Sequence, residues 1–429
     1  MPHILNVHLN DRLVGTITNL TSDHNVFTFA DSYRDDSDAA VLSLGFYNAD
    51  RKLVNPSKVP QVRLLPFFAN LLPEGHLRQY LAQRARVNPA RDFPLLWLTG
   101  HDLPGAVIVS HSEGIEMPAE DLDNVVPTAS ERDPTVLKFS LAGVQLKFSA
   151  IREAPGGITI PVHGRDGRWV LKMPSATYKN VPENEFSMLT FARAVGIDVP
   201  ETALIDSGNV RNLPPEVRSD LGRALYQRRF DRDGEARIHV EDFNQIYAQY
   251  PAQKYQNVSY GNMLNGIWST MGEGAAREFI RRLVFTIAIG NGNMHLKNWS
   301  VIYRDGRTPQ LAPAYDYLST IVYLPNDKLG LSIAQSKEWS DISLTHLERF
   351  ARKAGVPRGI VLEAAREMSD RIRLEWPRAK RDLELSHDMI KRIDAHMASV
   401  PILSGKTAHT LPVTASENAA SAEPQPEIS

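Results

Sequence analysis

The sequence predicts an α+β protein in which a small mixed module precedes a strand-rich lobe and then a helix-rich lobe, the layout of a bilobal enzyme. Three observations carry this expectation. Short runs of alternating apolar and polar residues open the chain, a second set of short strands surrounds one well-delimited helix, and helical periodicity dominates the second half. The 429 residues leave room for two or three domains, and 42% hydrophobic, 23% charged and 8% aromatic residues are the proportions of an ordinary globular protein with a sizeable core.

The opening MPHILNVHLNDRLVG alternates, and lacks a basic region followed by an apolar run and a cleavage site, so it reads as a strand and not as a signal peptide. RLVGTITN and NVFTFA continue the strands, and LLPFFANLLPEGHLRQYLAQRA turns helical, with Pro and Gly marking a turn inside it. The acidic, Pro-containing stretch 111–134 has no sustained period and reads as a connector, so 1–130 is taken as an N-terminal subdomain plus connector. Residues 131–235 form the first lobe. There VLKFSLAGVQLKFSAI, GRWVLKMP, TALIDSG and ALYQRRF read as strands around a helix that begins after Pro182, carries Glu183 and Glu185 in its first turn and ends at Gly196. Residues 236–404 form the second lobe, with helical VEDFNQIYAQ, YGNMLNGIWSTM and AAREFIRRLVFTIAIG, interruptions at NWSVIYR and LAPAYDYLS, and further helices across 343–400. The last stretch, 405–429, has only isolated large apolar residues and is expected to be disordered.

Several function classes drop out on composition. With 48 Lys+Arg against 50 Asp+Glu, a net charge of −2 gives no overall attraction to nucleic acid or to an anionic membrane, so any DNA contact is local or made through a partner. The absence of cysteine excludes disulfides, thiolate nucleophiles and cysteine-ligated metals, and is compatible with a reducing cytoplasm. The longest apolar run, LVFTIAIG at 283–290, is far short of the roughly 20 residues that span a bilayer. The expectation is a cytoplasmic protein without a membrane partner.

Phosphoryl transfer needs cations for the phosphates, oxygen ligands for Mg²⁺, a cover over the phosphates and a carboxylate near the attacking hydroxyl. Lys172 in the apolar strand WVLKMP and Glu185 on the next helix match the arrangement in which a strand lysine reaches phosphates and a helix carboxylate holds it. Each alone reads more blandly, as an edge-strand lysine and a favourable helix-N-terminal charge. In SLAGVQLK, Gly143 and small neighbours lie between two strand-like halves, where backbone N–H groups of Ala142, Gly143, Val144 and Gln145 can approach phosphate oxygens, with Lys147 following. A single Gly there also fits a plain hairpin turn. Downstream, Asn293 and Asn298 have the spacing D/N-x-x-x-x-N, and Asp316 follows after a strand-like pair. His295 has no companion His or Cys at metal spacing, so an orienting or packing role is expected of it and not zinc.

In this order the motifs resemble the HipA family of bacterial serine/threonine kinases, the toxins of HipBA-type toxin–antitoxin modules, over roughly residues 1–400. The matching stretches are FFANLLPEG, SLAGVQLK, VLKMP, NEFSMLTFARAVGI, RRFDR, EDFNQI, QKY, GNGNMHLKNWS and PAYDYLS. The resemblance implies a two-lobed protein-kinase-like fold behind the N-terminal subdomain, with ATP and Mg²⁺ as cofactors. It implies that Lys172 binds ATP phosphates, that Glu185 orients it, that Arg229, Phe230 and Asp231 lie at a hinge near adenine and ribose, that Asn298 and Asp316 bind Mg²⁺, and that His295 and Lys297 join the nucleotide site. Ser140 stands where the family autophosphorylates its phosphate-covering loop and silences itself. The implied partners are a HipB-like helix-turn-helix antitoxin, operator DNA mainly through that antitoxin, and an aminoacyl-tRNA synthetase as substrate, whose modification halts translation and promotes growth arrest or persistence.

Two positions depart from the family pattern. Arg228 stands where an acidic residue is expected before RFDR, and Asn293 stands at the catalytic Asp of G-x-x-D-x-H-x-K-N. An amide keeps the size of a carboxylate but cannot accept the hydroxyl proton. The expectation is an active parent kinase of which this chain is a catalytically impaired Asp→Asn form. Open beside it are a natural nucleotide-binding pseudokinase acting through partners and a small-molecule phosphotransferase of the aminoglycoside or choline kinase type, which shares the loop spacing.

Overall fold

The computed structural model describes residues 3–20, 24–56, 62–111, 147–152, 158–159, 167–175, 177–213 and 222–404. Ser140, Ala142, Gly143, Val144 and Gln145, the connector after His111, and the tail 405–429 lie outside the described residues.

The strands His3–Leu9, Arg12–Leu20 and His24–Phe29 pair as an antiparallel meander, and Val107–Ser110 joins the other edge of the first strand. Alternation buries Leu5, Val7 and Leu9 on one face. Against that face Phe27, Phe29, Phe46, Phe67 and Phe68 form a cluster with ring centroids 4.9–6.2 Å apart. Phe67 and Phe68 lie on the short helix Pro66–Ala69, and the LLPEG turn separates it from the helix Gly75–Ala85.

A second sheet runs in the order Thr202–Asp206, Arg223–Arg228, Trp169–Lys172, Lys147–Arg152, Ile158–Thr159, Val210–Arg211, antiparallel except for its last pair. Its register sets Lys147 directly opposite Lys172. Cross-strand partners share a face of the sheet, so both ammonium groups serve the same side. The helix Val181–Ala194 begins one residue before Pro182, behind Asn180 in the left-handed region at φ 58°. Proline is tolerated early in a helix because the first N–H groups lack partners anyway. Glu183 therefore occupies the first turn, while Glu185 opens the second, one step later than the sequence suggests. Met188, Leu189, Phe191 and Ala192 pack this helix into the core of the helical lobe, with Phe191 5.3 Å from Phe285 and 5.0 Å from Trp376.

The helical lobe opens differently from its expected pattern. VEDFNQIYAQ does not start as a helix: His239–Asp242 is a strand paired with Ser300–Tyr303, which in turn pairs with Gln310–Leu311. Only the distant strand partner decides this, and local periodicity does not contain it. The helix Phe243–Ile246 starts after Asp242, whose side chain and Gln245 form a reciprocal capping box. The run Tyr260–Ala288 breaks at Gly272, φ 79°, into the two helices that the sequence implies. Leu344–Ala354, Arg358–Ala379 and His387–Ser399 complete the lobe. Among the described residues no helix is long and apolar enough to cross a membrane.

The N-terminal sheet module docks on the rest through buried polar contacts. Arg229 and Arg232 share Asp231 and Asp102 at 2.8–3.1 Å, and the Gly105 N–H donates to Asp231 at 2.8 Å. Glu241 is buried at the same junction, accepting from the Leu44 N–H (2.9 Å) and the Tyr303 hydroxyl (2.5 Å). Burial pushes its carboxyl up from 4.5 to about 7. The folded protein then holds a proton that the unfolded chain releases, so this group favours folding below about pH 4.5 and loses that contribution as pH rises to about 7. Asp242 behaves similarly and His239 oppositely at lower pH, but both are common to any Glu241 variant. Glu241→Gln is therefore expected to gain stability relative to the unsubstituted chain between pH 5 and 8, by on the order of 3 kcal/mol at most. Urea midpoints at the two pH values measure this, and a pH-independent difference would contradict it.

Candidate active site

Three elements converge on Lys172. The strand carries it inward, the helix Val181–Ala194 supplies Glu185, and the segment after the Gln310–Leu311 strand supplies Asp316. The Lys172 Nζ donates to Glu185 Oε1 and Asp316 Oδ1, and Lys147 Nζ reaches Asp316 Oδ2 at 3.1 Å. Lys172 and Glu185 are almost fully buried. Burial alone would lower the Lys172 ammonium, but Asp316 and Glu185 reverse this and hold it above its ordinary value. Asp316 is opposed by the same burial, yet Lys147 and Lys172 pull its carboxyl far down. For Glu185 burial outweighs the lysine and raises the carboxyl. The lysine and Asp316 thus face each other as charged groups.

Asp316 itself sits at φ 55° in irregular backbone, after the paired strands Ser300–Tyr303 and Gln310–Leu311. Asp is among the residues that tolerate this region, and the conformation turns the carboxylate toward the sheet lysines. Its carbonyl accepts from Asn291 Nδ2 at 3.3 Å, linking it to the loop 290–298.

That loop is shaped by close packing. Gly290 has φ 61°, and a Cβ there would lie 2.3 Å from the Ile321 side chain; one on Gly292 would lie 2.2 Å from Asp327 Oδ2. Thr320 ties the turn together, donating to the Gly290 carbonyl (3.0 Å) and accepting from the Gly292 N–H (2.8 Å). The Asn293 N–H donates to Asn291 Oδ1 at 3.0 Å, Asn298 Nδ2 donates to the Asn293 carbonyl at 3.0 Å, and the Tyr255 hydroxyl donates to Asn293 Oδ1. With its nitrogen engaged, the Asn298 amide retains Oδ1 as its acceptor. A carboxylate and an amide oxygen are hard donors of the kind that Mg²⁺ takes in ones and twos beside phosphates. Asp316 and Asn298 fit that ion, and among the described residues no group of three or more His, Cys, Asp or Glu offers an all-protein cage instead.

His295 is buried with neither ring nitrogen hydrogen-bonded, its ring edge-on to Tyr255 at 4.9 Å. Burial first, then Lys254 and Lys297, lower it to about 3, so it is neutral at physiological pH. Lys297 Nζ lies 2.5 Å from Glu74 Oε1 and donates to the Asn70 carbonyl at 3.1 Å, while Lys254 Nζ donates to Glu74 Oε2 at 2.9 Å. Burial works against the Glu74 charge, but the two lysines bring its carboxyl down to about 2.

Lys147, Lys172, Glu185 and Asp316 are thus drawn together, with Asn293, His295, Lys297 and Asn298 on one adjoining loop. Of the hinge segment, Arg229 and Asp231 spend their side chains on the N-terminal module, and Phe230 packs 5.6 Å from Tyr315, the neighbour of Asp316. Arg228 is exposed, and its N–H bonds the Glu201 carbonyl at 2.8 Å. Sequence reasoning assigns no role to Glu74, Lys254, Tyr255 or Asn291. FFANLLPEG and QKY hold three of them, but nothing local says that these motifs meet.

Fold and site together define a kinase-like α+β enzyme. The chain belongs to the HipA family: the HipA N-terminal domain matches residues 5–110 and the HipA-like C-terminal domain residues 139–376. It is 44% identical to Y4dM of Sinorhizobium fredii, a protein provisionally named a kinase, over 405 residues that cover 93% of this chain and 97% of that one. It is 24% identical to the serine/threonine-protein kinase toxin HipA of Shewanella oneidensis, covering 86% of this chain and 87% of that one. The structure superimposes on HipA in the Shewanella oneidensis complex of HipA, HipB and operator DNA with a TM-score of 0.69 at 20% identity, over 93% of this chain and 96% of that one.

Replacing Lys172 by Met should leave Glu185 without its ammonium and Asp316 with Lys147 alone. Loss of one partner from a buried ion pair costs about 3–5 kcal/mol. The expected lowering of the urea midpoint should shrink when Asp316→Asn is added, since that removes one of the two carboxylate charges. Equal losses in the single and double variants would show that the charges do not interact.

Proposed function

We propose that this fold works as an ATP- and Mg²⁺-dependent protein serine/threonine kinase of a toxin–antitoxin module, and that Asn293 leaves this chain catalytically impaired. The observation that supports it is the convergence of Lys172, Glu185 and Asp316 beside the loop bearing Asn293 and Asn298. Lys172 and Lys147 would neutralise phosphate charge, Glu185 would hold Lys172 in line, and Phe230 with the backbone around it would meet the base. Asp316 and Asn298 would hold Mg²⁺, which when bound neutralises charge on the transferring phosphates. The residue at 293 would face the acceptor hydroxyl, where an amide can orient but not take its proton. Ser140, Ala142, Gly143, Val144 and Gln145 belong in this reading to the phosphate-covering loop, with Ser140 as the site of autophosphorylation.

The wider assignment rests on family membership: a cytoplasmic toxin restrained by a HipB-like antitoxin that carries most of the operator contact, acting on an aminoacyl-tRNA synthetase to stop translation. The near-neutral composition fits a protein that reaches DNA through a partner. The same reading divides the chain into 1–130, 131–235, 236–404 and a tail from 405.

Restoring the carboxylate is the direct test. Intact mass after incubation with Mg²⁺-ATP should show added phosphate on the Asn293→Asp protein, mapped to Ser140, at a rate about 10²–10⁴ above that of the chain with asparagine. If both forms bind ATP and neither transfers phosphate to itself or to a protein, the non-catalytic regulator is the better reading; transfer to a free small molecule alone would favour the small-molecule phosphotransferase.

A further inference from the structure

The motif FFANLLPEG belongs to the N-terminal module, yet its residues reach across to the loop that carries the proposed chemistry. Gln245 Nε2 donates to the Phe67 carbonyl at 3.0 Å, and Asn244 Nδ2 donates to Asn70 Oδ1 at 2.9 Å. These bonds seat the motif on EDFNQI. At its far end Glu74 spans two cations, Lys254 of QKY and Lys297 of the loop. Backbone joins the same three segments, because the Leu296 N–H donates to the Lys254 carbonyl at 3.2 Å. The Tyr315 hydroxyl donates to the Lys297 carbonyl at 2.9 Å, so the loop is fixed from the Asp316 side as well.

We infer that Glu74 is a positioning residue: the N-terminal module supplies the carboxylate that fixes Lys297 and, through it, the loop from Asn293 to Asn298. Lys254 and Lys297 carry like charges, and Glu74, within ion-pair distance of both, lets them stand together. Remove that charge and the lysines repel, and the hydrogen-bonded turn between them loses its anchor. On this view the module is part of the catalytic apparatus and not an appended binding domain. The inference rests on the kinase reading for its kinetic consequence, but the contact itself does not.

The test uses the full chain in two forms, as it stands and as Asn293→Asp. Mild acetylation followed by peptide mass spectrometry reads the accessibility of Lys297 in the first form. Glu74→Gln should make Lys297 react several-fold faster, with Glu74→Asp in between. In the Asn293→Asp form, Glu74→Gln should slow phosphate incorporation by about 10- to 100-fold, because small misplacements of reacting groups are that costly. The loss should appear mainly in kcat, with a smaller rise in the KM for ATP, since Lys172, Lys147 and Phe230 are untouched while Lys297 and Asn298 lie on the loop that loses its anchor. Unchanged Lys297 labelling would overturn the inference, as would rate, KM and melting temperature failing together without recovery in Glu74→Asp. If Asn293→Asp itself transfers no phosphate, the kinase reading fails, while the labelling still decides whether Glu74 holds Lys297.

Discussion

A single buried ammonium organises this molecule. Lys172 is inside the protein, where an unpaired charge costs several kcal/mol, and it is retained only because Glu185 and Asp316 reach it from a different element each. The strand, the helix and the segment of the second lobe that bears Asp316 must therefore keep one mutual geometry. Apolar packing reinforces this: Phe191 on the Glu185 helix lies between Phe285 and Trp376 of the helical lobe. Packing alone would permit sliding. Ion pairs at hydrogen-bond distance do not.

The sheet register explains why a second cation sits beside the first. Lys147 is the cross-strand partner of Lys172, and both point at Asp316, which is left with one carboxylate for two ammonium groups. Glu185 is the second carboxylate on Lys172, so the lysines turn to an anion only as Asp316 takes another cation, and phosphate oxygens are the chemistry that suits them. A divalent cation at Asp316 would have to take oxygens that the lysines now hold, so nucleotide and metal are expected to enter together, the phosphates giving the displaced lysines new partners.

Much of this was legible in the sequence, for identifiable reasons. The Lys172 strand, the Glu185 helix and the long helices of the second lobe are written in periodicity and caps, and these local signals survive because packing agrees with them. His239–Asp242 was not legible as a strand, because its identity comes from Ser300–Tyr303 some sixty residues away. The left-handed backbone at Asp316 was hidden for the same reason: nothing beside it in sequence demands it. Among site residues, those sharing one motif were recognisable, whereas Glu74, Lys254 and Tyr255 gain meaning only when three distant segments meet at the loop.

The loop geometry also bears on what an asparagine at 293 changes. Its main-chain N–H bonds Asn291, its carbonyl receives Asn298, and Gly290 and Gly292 are pinned by Thr320, all without help from the 293 side chain. The Tyr255 hydroxyl donates to the side-chain oxygen, and it can donate to an amide or to a carboxylate alike. Amide and carboxylate thus differ here in charge and basicity and hardly in shape. The surroundings hold charges of both signs: Lys254 and Lys297 pair with Glu74, and Asp327 packs against Gly292. A carboxylate at 293 would accept from the phenolic donor of Tyr255, a bond that favours its ionised form.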